Sequence, residues 1–227
     1  MSALMQQASA RTFTHNLKNL SAILRKAEKD AKARGIEESV LMEARLAPDM
    51  LPFKAQVMIA CDIAKGGCAR LTANEMPVYP DDNASFAELQ DRIKKTLAFI
   101  RGIKAAEYAG SDTREVEAQN PMGVLEFSGK DFLFGWALPN FYFHCATAYG
   151  ILRHNGLQIG KGDWLGQVPG MTARGPIVKA FGLKTKKKPG KKTKRAAGKP
   201  AAKTAAKAAG KKPPTKKPAR KKATAKR

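Results

Sequence analysis

Asn140, His144 and Thr147 recur at i, i+4 and i+7 in a stretch otherwise apolar and aromatic, and Ile151 and His154 continue the line. On a helix these positions stack along one face. A polar stripe there has two readings. Each side chain is satisfied by a neighbouring helix or by backbone, as buried polar groups normally are, or side chains from facing helices converge on a ligand or metal ion. Gln56 and Asp62 fall in a second apolar stretch and complete the candidate bundle-interior site: Gln56, Asp62, Asn140, His144 and Thr147. Asp62 has Lys65 three residues on, a spacing that pairs along one helix face; the functional alternative makes Asp62 a general base with a pKa raised by the core. Cys61, Cys68 and Cys145 read as small core residues. Residues 156–162, Gly-Leu-Gln-Ile-Gly-Lys-Gly, are one residue short of a phosphate loop, lack its Ser/Thr and follow a helix instead of a strand, so that reading is excluded.

These residues need elements to position them. Phe13, Leu17, Leu20, Leu24, Ala27 and Ala31 alternate by fours and threes and predict a first amphipathic helix ending at Gly35. A short helical turn is expected over 38–45. Pro52 opens a second helix reaching about Leu71, and since 57–64 is apolar all round except at Asp62, this helix belongs at the centre of a bundle. Pro77 and Pro80 mark a loop, after which Ser85-Phe86-Ala87-Glu88 is a capping box opening a third helix with the stripe Phe86, Leu89, Ile93, Leu97 and Ile100. Between 111 and 129 the helical period disappears, and Val116 with Val124, Leu125 and Phe127 around Asn120-Pro121-Met122-Gly123 suggests a small hairpin. A fourth helix runs from about Lys130 to His154, with Pro139 expected to kink or split it. The fold class is all-α, a four-helix bundle with a small hairpin before helix four. Residues 132–152 carry no formal charge over 21 positions, enough to cross a bilayer, but Pro139, Asn140, His144, Thr147 and Tyr149 argue against a span.

The charge is segregated. Of 42 basic residues in this 227-residue chain, 20 lie in 184–227 without one acidic residue, which leaves 22 basic against all 19 acidic residues in 1–183. The terminal 44 residues contain only Lys, Arg, Ala, Pro, Thr and Gly, which cannot bury a core. Two regions follow: a helical domain at 1–183 and a disordered basic tail at 184–227. Cations such as Lys186, Lys187, Lys188, Lys191, Lys192, Lys194, Arg195, Lys199, Lys203, Lys207, Lys211, Lys212, Lys216, Lys217, Arg220, Lys221 and Lys222 suit phosphate neutralisation of duplex DNA or another polyanion. Seventeen of the 20 are Lys, so point charges are favoured over bidentate base reading, and with no aromatic there is nothing to stack on bases. A solubilising or anionic-membrane role is the competing reading. Cys61 and Cys68 lie seven apart on one helix, about 10 Å by helical rise, beyond disulfide reach. Residues 1–10 lack the charged and apolar regions of a secretion signal. A cytoplasmic, nucleoid-associated location is expected.

Leu138-Pro139-Asn140-Phe141-Tyr142-Phe143-His144, followed by Thr147-Ala148-Tyr149 and Ile151-Leu152-Arg153-His154-Asn155-Gly156, resembles an uncharacterised bacterial branch of the DinB-like superfamily. Residues 44–50 (Ala-Arg-Leu-Ala-Pro-Asp-Met), Gln56-Val57, Asp62-Ile63-Ala64-Lys65, Gly160-Lys161 and Asp163-Trp164-Leu165-Gly166 support it, and the resemblance covers about residues 5–167. It implies a four-helix bundle, often a homodimer, in a superfamily where many members bind a divalent metal through one histidine on helix two and two at i, i+4 on helix four. This sequence departs from that pattern. His144 matches the first helix-four ligand, but Ala148 stands at i+4, helix two offers Gln56 and Asp62 without a histidine, and His154 lies about 15 Å from His144 by helical rise. Only His15 remains, so no metal or other cofactor is expected. The tail resembles linker-histone and bacterial histone-like tails, with units such as Lys199-Pro200-Ala201-Ala202-Lys203 and Lys216-Lys217-Pro218-Ala219. The combined expectation is a DinB-like bundle of unknown activity tethered to nucleic acid by a sequence-nonspecific tail. The alternative is an enzyme with its site in the bundle interior near His144, metal-dependent or metal-free, with the tail serving only localisation.

Overall fold

In the computed structural model, which describes residues 1–120 and 122–180, four long helices pack around one core. The first, α1, runs continuously over 2–34 and includes a π-helical stretch at Gln7–Arg11. Its apolar stripe buries Phe13, Leu17, Leu20, Leu24, Ala27 and Ala31, and it ends at Gly35, whose φ of 64° is the left-handed conformation glycine adopts without strain. A one-turn helix, α2 (Glu38–Met42), leads to α3 (Phe53–Thr72), which is covered on several sides by α4 (Phe86–Gly102) and α5 (129–154). That central place explains why α3 buries small residues, Ala60, Cys61, Ala64, Gly67 and Cys68, facing different neighbours. At Gly67 a Cβ would stand 3.1 Å from the Phe13 ring, and Phe13 in turn meets Phe141 edge-on with centroids 4.9 Å apart. Such edge-on ring contacts add to the apolar burial that holds the bundle together.

The capping box that opens α4 forms, with Ser85 Oγ accepting from the Glu88 N–H at 3.2 Å. Strands β1 (Glu115–Asn120) and β2 (Gly123–Ser128) pair antiparallel with Val116 opposite Phe127 and Ala118 opposite Leu125. Val116 and Ala118 are buried while Glu115, Glu117 and Gln119 are exposed, the period-two pattern of a ribbon laid on a core. Its base is fixed: the Gly129 N–H donates to Arg114 O at 2.7 Å, and a Cβ on Gly129 would fall 1.9 Å from the Ser111 carbonyl oxygen.

Pro139 does not split the fourth helix. α5 continues through it because residues Phe132–Ala137 are π-helical, and the wider turn gives room for a ring that would otherwise strike the carbonyl one turn earlier. A short helix, α6 (Lys161–Leu165), returns to α1, where His15 Nε2 lies 2.8 Å from Leu165 O and Lys26 pairs with Asp163. No helix among the described residues is long and apolar enough to cross a membrane. The basic segment 184–227 lies outside the described residues.

Candidate functional site

α5 places His144 half-buried opposite Gln56, which is 1% exposed on α3. His144 Nδ1 and Gln56 Oε1 are 2.7 Å apart, and the Gln56 Nε2 amide donates to Leu51 O at 3.0 Å. Because the amide nitrogen is committed to a carbonyl, Oε1 is the acceptor, so Nδ1 carries the proton and the Nε2 lone pair of the neutral ring remains available. Burial lowers the His144 pKa and reinforces the neutral form. The other members of the stripe do not join this pair. Asn140 donates to Trp136 O at 2.8 Å and Thr147 to Phe143 O at 2.8 Å, each one turn back along its own helix.

Asp62 belongs to a different cluster. Arg92 on α4, 3% exposed, donates from one nitrogen to both Asp62 oxygens at 2.9 and 2.8 Å and to Asp81 at 2.8 Å, and from another to Pro80 O at 2.6 Å. Lys65, 4% exposed, reaches Asp62 at 3.0 Å and Pro77 O at 2.7 Å, with the Tyr79 ring centroid 4.4 Å away. Two buried cations are thus neutralised by two carboxylates and by the loop that carries Pro77 and Pro80, so burial of charge is compensated locally. Sequence spacing pointed to the Asp62–Lys65 pair but missed Arg92, Asp81 and Tyr79. Its one available signal was the placing of Arg92 between Leu89 and Thr96, within the span of the buried α4 stripe.

Beside this cluster a cavity of about 370 Å³ opens between α3, the 76–81 loop, β1 and the first turns of α5. Asp62, Lys65, Arg70, Met76, Val78, Tyr79, Phe132 and Trp136 are among the residues lining it. The cysteines are elsewhere in the core. Burial pushes the Cys61 and Cys68 thiols up to about 12 and the Cys145 thiol well above its ordinary value, so none is poised as a thiolate nucleophile.

With the bundle and its polar clusters in place, comparison with known proteins is informative. Residues 5–165 match a family model described as a domain of unknown function, DUF1993. The chain belongs to the DUF1993 family. Among solved structures, this DUF1993 chain is similar to the crystal structure of a DinB family member protein from Shewanella denitrificans, at 38% sequence identity and a TM-score of 0.69, covering 76% of this chain and 97% of that one. Together these findings support placement in a DinB-like superfamily. No curated protein matches the chain. The three-histidine metal centre that the superfamily resemblance implies does not fit the residues of this DUF1993 member: α3 offers Gln56, whose amide is taken up by Leu51 O and His144, in place of a histidine, and Ala148 offers no donor. Among the described residues no three His, Cys, Asp or Glu side chains gather closely enough to hold a metal ion.

Proposed function

We propose that this protein is a nucleic-acid-associated member of the DUF1993 family, its helical domain tethered to duplex DNA or a related polyanion by a sequence-nonspecific, histone-like tail at 184–227, which directs a cytoplasmic protein to the nucleoid. The observation that carries the reading is the segregation of charge: 20 cations and no anion in the last 44 residues, against a nearly balanced remainder. Polyanion binding by lysine-rich segments is driven by counterion release, so log K falls with log salt by about 0.9 per phosphate neutralised, and about eight engaged lysines give a slope near −7. Titrating labelled duplex DNA with the full chain at several salt concentrations measures that slope. A slope near zero, a strong preference for one sequence, or equal binding by a chain ending at residue 183 overturns the reading. Homodimerisation through the bundle belongs to the same proposal, supported by the exposed aromatic side chains Phe134, Tyr142 and Phe143 on α5.

A second reading, chemistry near His144 with the tail serving only localisation, is supported by the Leu51–Gln56–His144 chain, which presents a neutral imidazole in one tautomer. In that case an activity of the full chain survives removal of 184–227 and is lost in His144→Gln.

A further inference from the structure

The cavity beside α3 differs from the neighbouring charge cluster in one respect. Its carboxylates, Asp62 and Asp81, are already engaged by Arg92 and Lys65, and the Lys65 ammonium is used up between Asp62, Pro77 O and the Tyr79 ring. Arg70 has no such arrangement. Its Nε donates to the Glu117 carbonyl at 2.9 Å, and among the described residues it makes no ion pair. Burial lowers its pKa without a carboxylate to offset the effect. The guanidinium lies over Gly66, where a Cβ would stand 2.6 Å from Nη1, and its centre is 6.0 Å from the Phe132 ring. A half-buried cation is thus oriented through Nε, with its Nη end left over, in a cavity walled by Phe132, Trp136, Met76 and Val78.

We infer that this cavity binds a small aromatic monocarboxylate, with the carboxylate on the Nη end of Arg70 and the ring against Phe132 and Trp136. The volume of about 370 Å³ falls within the range of small-molecule sites. The two Nη groups present paired N–H bonds that match the two oxygens of a carboxylate. One uncommitted cation matches one negative charge; a phosphate dianion would call for a second, and Lys65 is committed. The aromatic preference follows from ring walls that favour offset or edge-on contact with another ring.

The test is calorimetric titration of the full chain with 2-naphthoate and with its neutral analogue 2-naphthamide, in salt high enough to suppress the tail, with a peptide of residues 184–227 as the blank. One 2-naphthoate is expected to bind per chain, at least about tenfold more tightly than the amide, because a charge-assisted hydrogen bond is lost in the amide. Arg70→Gln is expected to erase the difference between acid and amide, and Trp136→Ala, at a position 39% exposed, to weaken both alike. Absence of one-to-one binding up to about 5 mM acid, a K far weaker than a built site gives, overturns the proposal. So does equal affinity of wild-type chain for acid and amide, a comparison that stands even where Arg70→Gln fails to fold. Unchanged binding by Trp136→Ala also overturns it, since the ring is then not in the site.

Discussion

Arg92 is buried and Arg70 half-buried on adjacent helices, yet only one is paired with carboxylates. Arg92 is held by Asp62, Asp81 and Pro80 O, whereas Arg70 has a single backbone carbonyl. The difference teaches that burial alone does not say what a charge is for. A cation whose partners are all supplied by the chain is part of the fold, and removing it leaves those partners stranded. A cation oriented but left unneutralised contributes little to the fold and is available to something else.

The comparison breaks most readily at Arg92. Arg92→Ala leaves Asp62 with Lys65 alone and releases Asp81 and Pro80 O of the loop, with an expected loss of about 2–3 kcal/mol in urea unfolding. This is below the usual cost of breaking a fully buried pair, because Asp62 keeps 36% of its side chain exposed. Replacing His144 by Ala tests a neutral version of the same situation. Gln56 Oε1 loses its donor in the core, and the expected cost is about 1–3 kcal/mol. Arg70→Ala is expected to cost about 1.5 kcal/mol or less, the value for one hydrogen bond from a half-buried cation to a carbonyl; a loss as large as that of Arg92→Ala would erase the distinction.

The smallest effect concerns pH. In the folded chain burial holds the His144 pKa below its ordinary 6.5, so on acidification the unfolded chain takes up this proton first. The stability tied to the neutral ring is complete above about 6.5 and declines as pH falls from there toward the folded value. Unfolding midpoints at pH 7.5 and 5.5 should therefore differ more in the wild-type chain than in His144→Gln. Glu88 and Glu107, whose pKa values are lowered by hydrogen bonds from the Ala84 N–H and from Asn74 respectively, act only below the ordinary 4.5 and do not enter this window.

What could be read from sequence divides along similar lines. The long helices were legible because a buried face imposes a period, as Phe13 to Ala31 show, and because Gly35 and the Ser85–Glu88 box punctuate their ends with side-chain chemistry. The hairpin was legible through loss of that period. The uninterrupted passage of α5 through Pro139 was not, since a π-helical turn depends on how Phe132 and Ala137 pack and leaves no mark in composition. Among the candidate site residues, Asp62 and Lys65 were within reach because one helix sets their separation. Neither Arg92 with Asp81 nor Arg70 with Glu117 was, because their meeting depends on an aperiodic loop and on where the ribbon lies across α3. Asn140 and Thr147 share a face with His144, but a polar side chain on a helix can turn to its own backbone, and both do.

The crossing at Ser111 and Gly129 restricts how this family can vary in length. With no space for even one methyl group there, the base of the ribbon is pinned, and a longer ribbon must grow from its far end. Pairs added there leave Val116 and Ala118 facing inward whatever their number, because the register is set from the base. One extra residue in a single strand between the base and Val116 turns that face outward, so relatives should keep this spacing and carry any extra length at the far end.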